Sequence, residues 1–120
     1  ARCAAREAGR PDADALADKV LGLRIFEDNE GKMNRSLQET GGALLAVSQF
    51  TLLGDTRKGR RPSFVEAMEP GRANELFERY CDKSRSAGVT VATGRFRADM
   101  LVALENSGPI TILVDTKKTF

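Results

Sequence analysis

At 120 residues the chain has room for one domain, long enough to bury roughly two-thirds of its unfolded surface in a core. Apolar residues make up 41% and charged residues 30%, the balance of a soluble globular protein, and no apolar run approaches the ~20 residues that span a bilayer. A net charge of +2 is too small to mark a nucleic-acid binder by itself.

Composition also narrows the chemistry. The chain has no histidine, which removes Ser–His and Cys–His nucleophile pairs and histidine metal sites. Cys3 and Cys81 stand far apart, in no metal-ligand spacing. They read as buried or idle thiols, and no metal or organic cofactor is expected. Catalysis here must use hydroxyls, carboxylates, lysines, main-chain groups or a group brought by the substrate. The first ten residues are charged and lack the apolar stretch of a signal peptide, so the cytoplasm is the expected compartment.

Residues 1–11 are polar and read as loosely held. Asp12 or Asp14 is suited to cap a helix, because a carboxylate there accepts orphan N–H groups at the positive end of the dipole. Ala13, Leu16, Ala17, Val20 and Leu21 follow at helical spacing, and Gly22 is a stop. Residues 23–27 alternate as a short strand, and residues 28–32 carry turn chemistry. The uninterrupted apolar run over residues 43–47 suits a strand covered on both faces, continuing into residues 48–53. Residues 54–63 form a charged loop closed by Pro62. A long helix is predicted from Pro70 to Ser86, with Ala73, Leu76, Phe77, Tyr80 and Ser84 on one face and Gly88 ending it. Residues 89–93, 100–104 and 110–114 read as three further strands, the last two joined by the turn at 106–109. Strands with segregated helices argue an α+β fold: a mostly antiparallel or mixed sheet with two helices.

Two short segments stand out. In Ser48-Gln49-Phe50-Thr51 an apolar strand turns polar as it leaves the core. Side chains alternate along a strand, so Gln49 and Thr51 share a side opposite Ser48 and Phe50. The segment is either a strand end whose hydroxyls satisfy nearby backbone, or the wall of a polar pocket. Unpaired N–H groups there would suit a developing oxyanion. The second segment is Asn106-Ser107-Gly108-Pro109. It is either an ordinary hairpin turn or a fixed main-chain element whose side-chain-free Gly108 lets a ligand approach closely. A third cluster, Arg57, Lys58, Arg60 and Arg61, is either a solvated loop or a phosphate-contacting patch.

These segments, in this order, resemble those of the D-aminoacyl-tRNA deacylases. The resemblance runs from about Asp12 to Asp115. It includes Leu23-Arg24-Ile25-Phe26-Glu27-Asp28, Gly31-Lys32-Met33-Asn34, Ser48-Gln49-Phe50-Thr51-Leu52 and Asp55-Thr56-Arg57-Lys58-Gly59. It continues through Arg61-Pro62-Ser63-Phe64, Thr93-Gly94 and Ala98-Asp99-Met100 to the stretch from Asn106 to Thr111. It implies a homodimeric hydrolase that cleaves D-amino acids, and glycine, from mischarged tRNA. It further implies that Gly108-Pro109 is a cis-peptide element entering the partner's pocket to reject L side chains. Ser48, Gln49, Phe50 and Thr51 would line that pocket, with Met100 and Asn106 on the substrate. Thr51 is either a nucleophile or, with no base evident, a positioning group beside water or a ribose hydroxyl. Arg57, Lys58, Arg60 and Arg61 would meet tRNA phosphates.

The pattern departs from the family in three places. The strands that precede the first helix in the family are missing, which implies a single but partial deacylase domain over residues 1–120. Arg97 stands where the family usually has glycine, and Ser107 where aspartate is common. The alternative reading is a non-catalytic tRNA- or nucleic-acid-binding relative, or an inactive fragment.

Overall fold

The computed structural model describes residues 1–119. Helix α1 spans Arg10–Gly22, and its cap is Gly9 and not Asp12 or Asp14 as expected. Asp12 sits inside the first turn, where its carboxylate accepts from the Gly9 N–H at 2.9 Å. Pro11 fits that turn because the amide it lacks would have had no partner there. A hairpin follows, formed by β1 (Phe26–Glu27) and β2 (Met33–Arg35), paired antiparallel. Only the end of the expected 23–27 strand is paired. Asp28 builds the turn: Oδ1 accepts from the N–H groups of Glu30 and Lys32 at 2.9 and 3.0 Å, and Oδ2 from Asn34 Nδ2 at 2.8 Å. A short helix not foreseen in the sequence, α2 (Leu37–Thr40), begins on a reciprocal Ser36–Glu39 cap.

Strand β3 (Ala43–Ala46) runs parallel to β4 (Thr90–Thr93), with Ala43 facing Thr90 and Ala46 facing Thr93. Between them lies α3, Pro70–Ser86, with the bounds the sequence implied. Pro70 fills its first position, and the Glu69 carboxylate accepts from the N–H groups of Gly71 and Arg72 at 3.1 and 2.6 Å. The fold is α+β, with one antiparallel and one parallel strand pair.

The core lies where α1 packs on α3 and both meet β3. Ala13 and Ala17 of α1 face Leu76, Tyr80 and Cys81 of α3, above Ala46 of β3. The two alanines leave room for close helix approach. A second cluster joins Leu21, Leu37 and Val89. Across the helix pair, Arg79 donates to both oxygens of Asp14 at 2.9 Å, which holds the Asp14 carboxyl below its ordinary range.

Three expectations are corrected. Strand β3 is covered on one face only: Ala46 is 2% exposed, whereas Leu45, on the alternate face, is 61% exposed. Residues 100–104 and 110–114 are not strands. A strand exists only with a ladder partner, and among the described residues neither segment has one; Leu101 is fully exposed. Residues 1–11 are not loose. The Arg2 N–H donates to Val47 O, Arg6 N–H to Glu66 O, and Ala4 O accepts from Met68 N–H, at 2.7, 2.9 and 3.0 Å.

Candidate active site

The site is built where β3 ends. Past Ala46 the chain forms a parallel bridge between Ser48 and Arg2, and Gln49 is still extended, at φ −150° and ψ 102°. The expected strand through residue 53 then gives way to a single 3₁₀ turn, Phe50–Leu53, closed by Gly54 N–H donating to Thr51 O at 3.0 Å. In a 3₁₀ turn the bonds run from residue i to i+3, so the first amides are left over. Among the described residues, the Phe50 and Thr51 N–H groups donate no main-chain bond outside the turn.

Gln49 and Thr51 face each other, as alternation implied: Gln49 Nε2 donates to Thr51 Oγ1 at 2.6 Å. Thr51 is exposed. With one lone pair already engaged by the amide, its hydroxyl proton is left to donate outward. Phe50 is half-exposed and meets Phe64 edge-on, with ring centroids 5.1 Å apart at 67°. Gly54 makes that contact possible. A Cβ there would stand 3.0 Å from the Phe64 ring and 3.1 Å from Thr51 O.

Met100 is brought to the same rim. A Cβ on Gly94, one residue past β4, would lie 3.2 Å from Met100 Sδ and 3.6 Å from Val47 Cγ1. Met100 therefore lies over Gly94, beside the residue that precedes Ser48. The Gly108-Pro109 bond is cis, and both residues are exposed. A Cβ at Gly108 would meet Ile110 N at 2.3 Å, so the turn has room only for glycine; Asn106 Oδ1 lies 3.5 Å from the same point. Among the described residues no hydrogen bond joins this turn to residues 48–51 within the chain. Neither of two surface cavities, about 340 and 510 Å³, is lined by Thr51 or Gly108.

The basic loop is folded across an Asp55–Ser63 bridge. Arg57 is held by Asp55: Nε and Nη2 donate to the two carboxylate oxygens at 2.9 and 2.6 Å, and the Arg57 N–H donates to Oδ1 at 2.9 Å. These bonds hold the Asp55 carboxyl at about 2. Lys58, Arg60 and Arg61 are exposed and make no ion pair among the described residues. Arg97 takes a left-handed backbone at φ 62° and is exposed. Glycine adopts that conformation freely, whereas the arginine occupies it at a strain of about 1–2 kcal/mol.

Two residues beside the site were read as loose or idle in the sequence. Arg2 grips the chain on either side of Ser48, and Gln49 N–H donates to Arg2 O at 2.6 Å. Cys3 Sγ lies 3.4 Å from Phe50 O. Burial pushes the Cys3 thiol above its ordinary value, so it stays protonated at neutral pH and serves as a donor, not a nucleophile. Nothing local announced either residue, since their partners lie more than forty positions away.

Comparisons with known proteins converge. A sequence model described as D-Tyr-tRNA(Tyr) deacylase matches residues 2–115. The chain is 58% identical to a D-aminoacyl-tRNA deacylase of Symbiobacterium thermophilum, over 96% of this chain and 76% of that relative. It is 57% identical to one of Sorangium cellulosum, over 98% and 79%. Among solved structures, one described as a c-Myc DNA unwinding element binding protein superposes with TM-score 0.83 at 31% identity, over 92% of this chain and 76% of that one. Another, described as a probable eukaryotic D-amino acid tRNA deacylase, superposes with TM-score 0.57 at 26% identity, over 74% and 52%. With the family model spanning nearly the whole chain and relatives sharing more than half of its residues, the chain belongs to the D-Tyr-tRNA(Tyr) deacylase family.

Proposed function

We propose that this chain hydrolyses the ester joining a D-amino acid, or glycine on the wrong tRNA, to the tRNA terminus, releasing free amino acid and tRNA. The observation that carries the reading is the pair of spare amides at Phe50 and Thr51 beside a Thr51 hydroxyl oriented by Gln49. Attack on an aminoacyl ester creates an oxyanion, and preorganised N–H donors lower its energy most where no water competes. Thr51 donates a further hydrogen bond to the substrate. It is not the nucleophile: the chain holds no histidine to take its proton, and Gln49 donates to it and takes none. Water or the neighbouring ribose hydroxyl attacks an ester that is already reactive, and the site supplies position and charge stabilisation.

Ser48 and Phe50 form the pocket wall opposite Gln49 and Thr51, with Met100 at its edge. Gly108 and Pro109 of a second copy complete the pocket, with Asn106 at the base of their turn. Rigid main chain set against the substrate's α-carbon leaves no room for an L side chain, so selectivity comes from a clash with the wrong enantiomer. Lys58, Arg60 and Arg61 take tRNA phosphates, and Arg57 joins them only on leaving Asp55.

The test is deacylation of matched D- and L-tyrosyl-tRNA, with sedimentation to establish the copy number. D-selective turnover by a dimer is the expected result. Binding of tRNA without turnover selects the non-catalytic relative, and equal rates on both enantiomers refute the proposed selectivity.

A further inference from the structure

Arg2 serves with both of its parts. Its main chain grips both neighbours of Ser48: its N–H donates to Val47 O at 2.7 Å, and its carbonyl accepts from Gln49 N–H at 2.6 Å. Its side chain is anchored elsewhere. Nη2 donates to the Tyr80 hydroxyl at 2.7 Å, Nη1 to Ala1 O at 2.9 Å, and the guanidinium carbon stands 4.8 Å from the Tyr80 ring centroid. Tyr80 is 3% exposed, in the same cluster as Ala46 of β3. Arg2 Nε is buried with no partner among the described residues. An aliphatic side chain would fill this place with no orphan donor, so filling space does not explain the guanidinium; its bond to Tyr80 does. The next residue extends the grip, since Cys3 Sγ donates to Phe50 O.

We infer that Arg2 is a positioning residue for Thr51, an inference that rests on the role given to Thr51 above. Helix α3 fixes the Arg2 side chain through Tyr80. Arg2 fixes the main chain of Gln49, and the Gln49 amide fixes the Thr51 hydroxyl at 2.6 Å. The register of the reactive turn is therefore set from the helix layer through the first three residues of the chain, and not by β3 alone.

The experiment uses Tyr80→Phe, which keeps the ring and its packing and deletes only the acceptor, with Arg2→Ala and Arg2→Lys beside it. Amide exchange is followed at Gln49 and at Ser84, which is fully buried in α3. Turnover of D-tyrosyl-tRNA is measured with KM and kcat separated. Loss of one ordering hydrogen bond predicts exchange at Gln49 faster by roughly 2- to 13-fold. Ser84 is unchanged, kcat falls by a similar factor and KM stays the same. Arg2→Lys, which retains a cation for Tyr80, lies between wild type and Arg2→Ala. In a Thr51→Ala background Tyr80→Phe has no further effect on kcat, because the two act in one chain. Unchanged exchange at Gln49, or equal acceleration at Gln49 and Ser84, overturns the inference in favour of a merely structural strap. Should Arg2→Ala fail to fold, Tyr80→Phe decides alone. Should the wild type release no D-amino acid, the functional reading falls while exchange at Gln49 still decides the Arg2–Gln49 linkage.

Discussion

Replacing Thr51 by alanine separates two chemistries by orders of magnitude. If the hydroxyl only donates a hydrogen bond to the substrate, its loss removes one neutral bond, net about 0.5–1.5 kcal/mol. At about 1.4 kcal/mol per decade this is roughly a 2- to 13-fold fall in kcat. The Gln49 amide released by the change is on the surface, where water takes the place of Thr51, so no buried donor adds to the loss. If Thr51 were the nucleophile, deletion would cost on the order of 10⁴- to 10⁶-fold, as for hydrolases that lose theirs. Initial rates of D-tyrosyl-tRNA deacylation at saturating substrate make the measurement. Thr51→Val controls for side-chain volume, and Thr51→Ser, which restores the hydroxyl, should be close to wild type. A loss beyond about 10³-fold in both alanine and valine variants, with tRNA affinity unchanged, refutes the donor role and places the reacting oxygen on Thr51.

Other outcomes follow from the loop and the core. Asp55→Asn releases Arg57 and removes a negative charge, so tRNA binding should steepen in its log–log salt dependence by about 0.7–0.9; an unchanged slope refutes the sequestration of Arg57. The Asp55 carboxyl titrates at about 2 in the fold against an ordinary 3.8. Because the native value is the lower one, its contribution is whole above the ordinary range and is lost as pH falls through about 2. A carboxyl-carbon NMR titration with a midpoint near the ordinary value would contradict the clamp. Leu21→Ala empties the space between Leu37 and Val89 and should cost about 2–5 kcal/mol in urea unfolding; a loss below about 1 kcal/mol would mean that this second cluster is loosely packed.

What the sequence disclosed divides along the range of the interaction. Helix α3 was legible to the residue because its signals are local: Pro70 at the start, apolar residues at helical spacing, and Gly88 after the end. The start of α1 shifted because an acidic residue near a helix start suits two places: at the cap it accepts from amides of the first turn, and at the third helical position, where Asp12 stands, it accepts from the amide of the cap residue, Gly9. Residues 100–104 and 110–114 are apolar enough for strands, but a strand is a property of two segments, and no second segment meets them among the described residues. The site shows the same contrast. Side-chain alternation put Gln49 with Thr51, and the contact survives although the backbone at Thr51 is a 3₁₀ turn. The Asp55–Arg57 clamp spans two residues and could have been suspected from that spacing alone. Arg2 could not have been, because its meaning depends on Tyr80, seventy-eight positions later.

Because β3 and β4 point the same way and finish level, with Ala46 opposite Thr93, both strands release their outgoing segments at one end of the molecule. The loop bearing Thr51 and the loop bearing Met100 emerge there side by side, while α1 and α3 lie behind them. The candidate rim and the helix core thus belong to different segments of the chain, joined through Arg2. Exchanges in the two outgoing segments leave Ala17 and Leu76 in place, whereas a change at Tyr80 of α3 is passed to the Thr51 turn through Arg2.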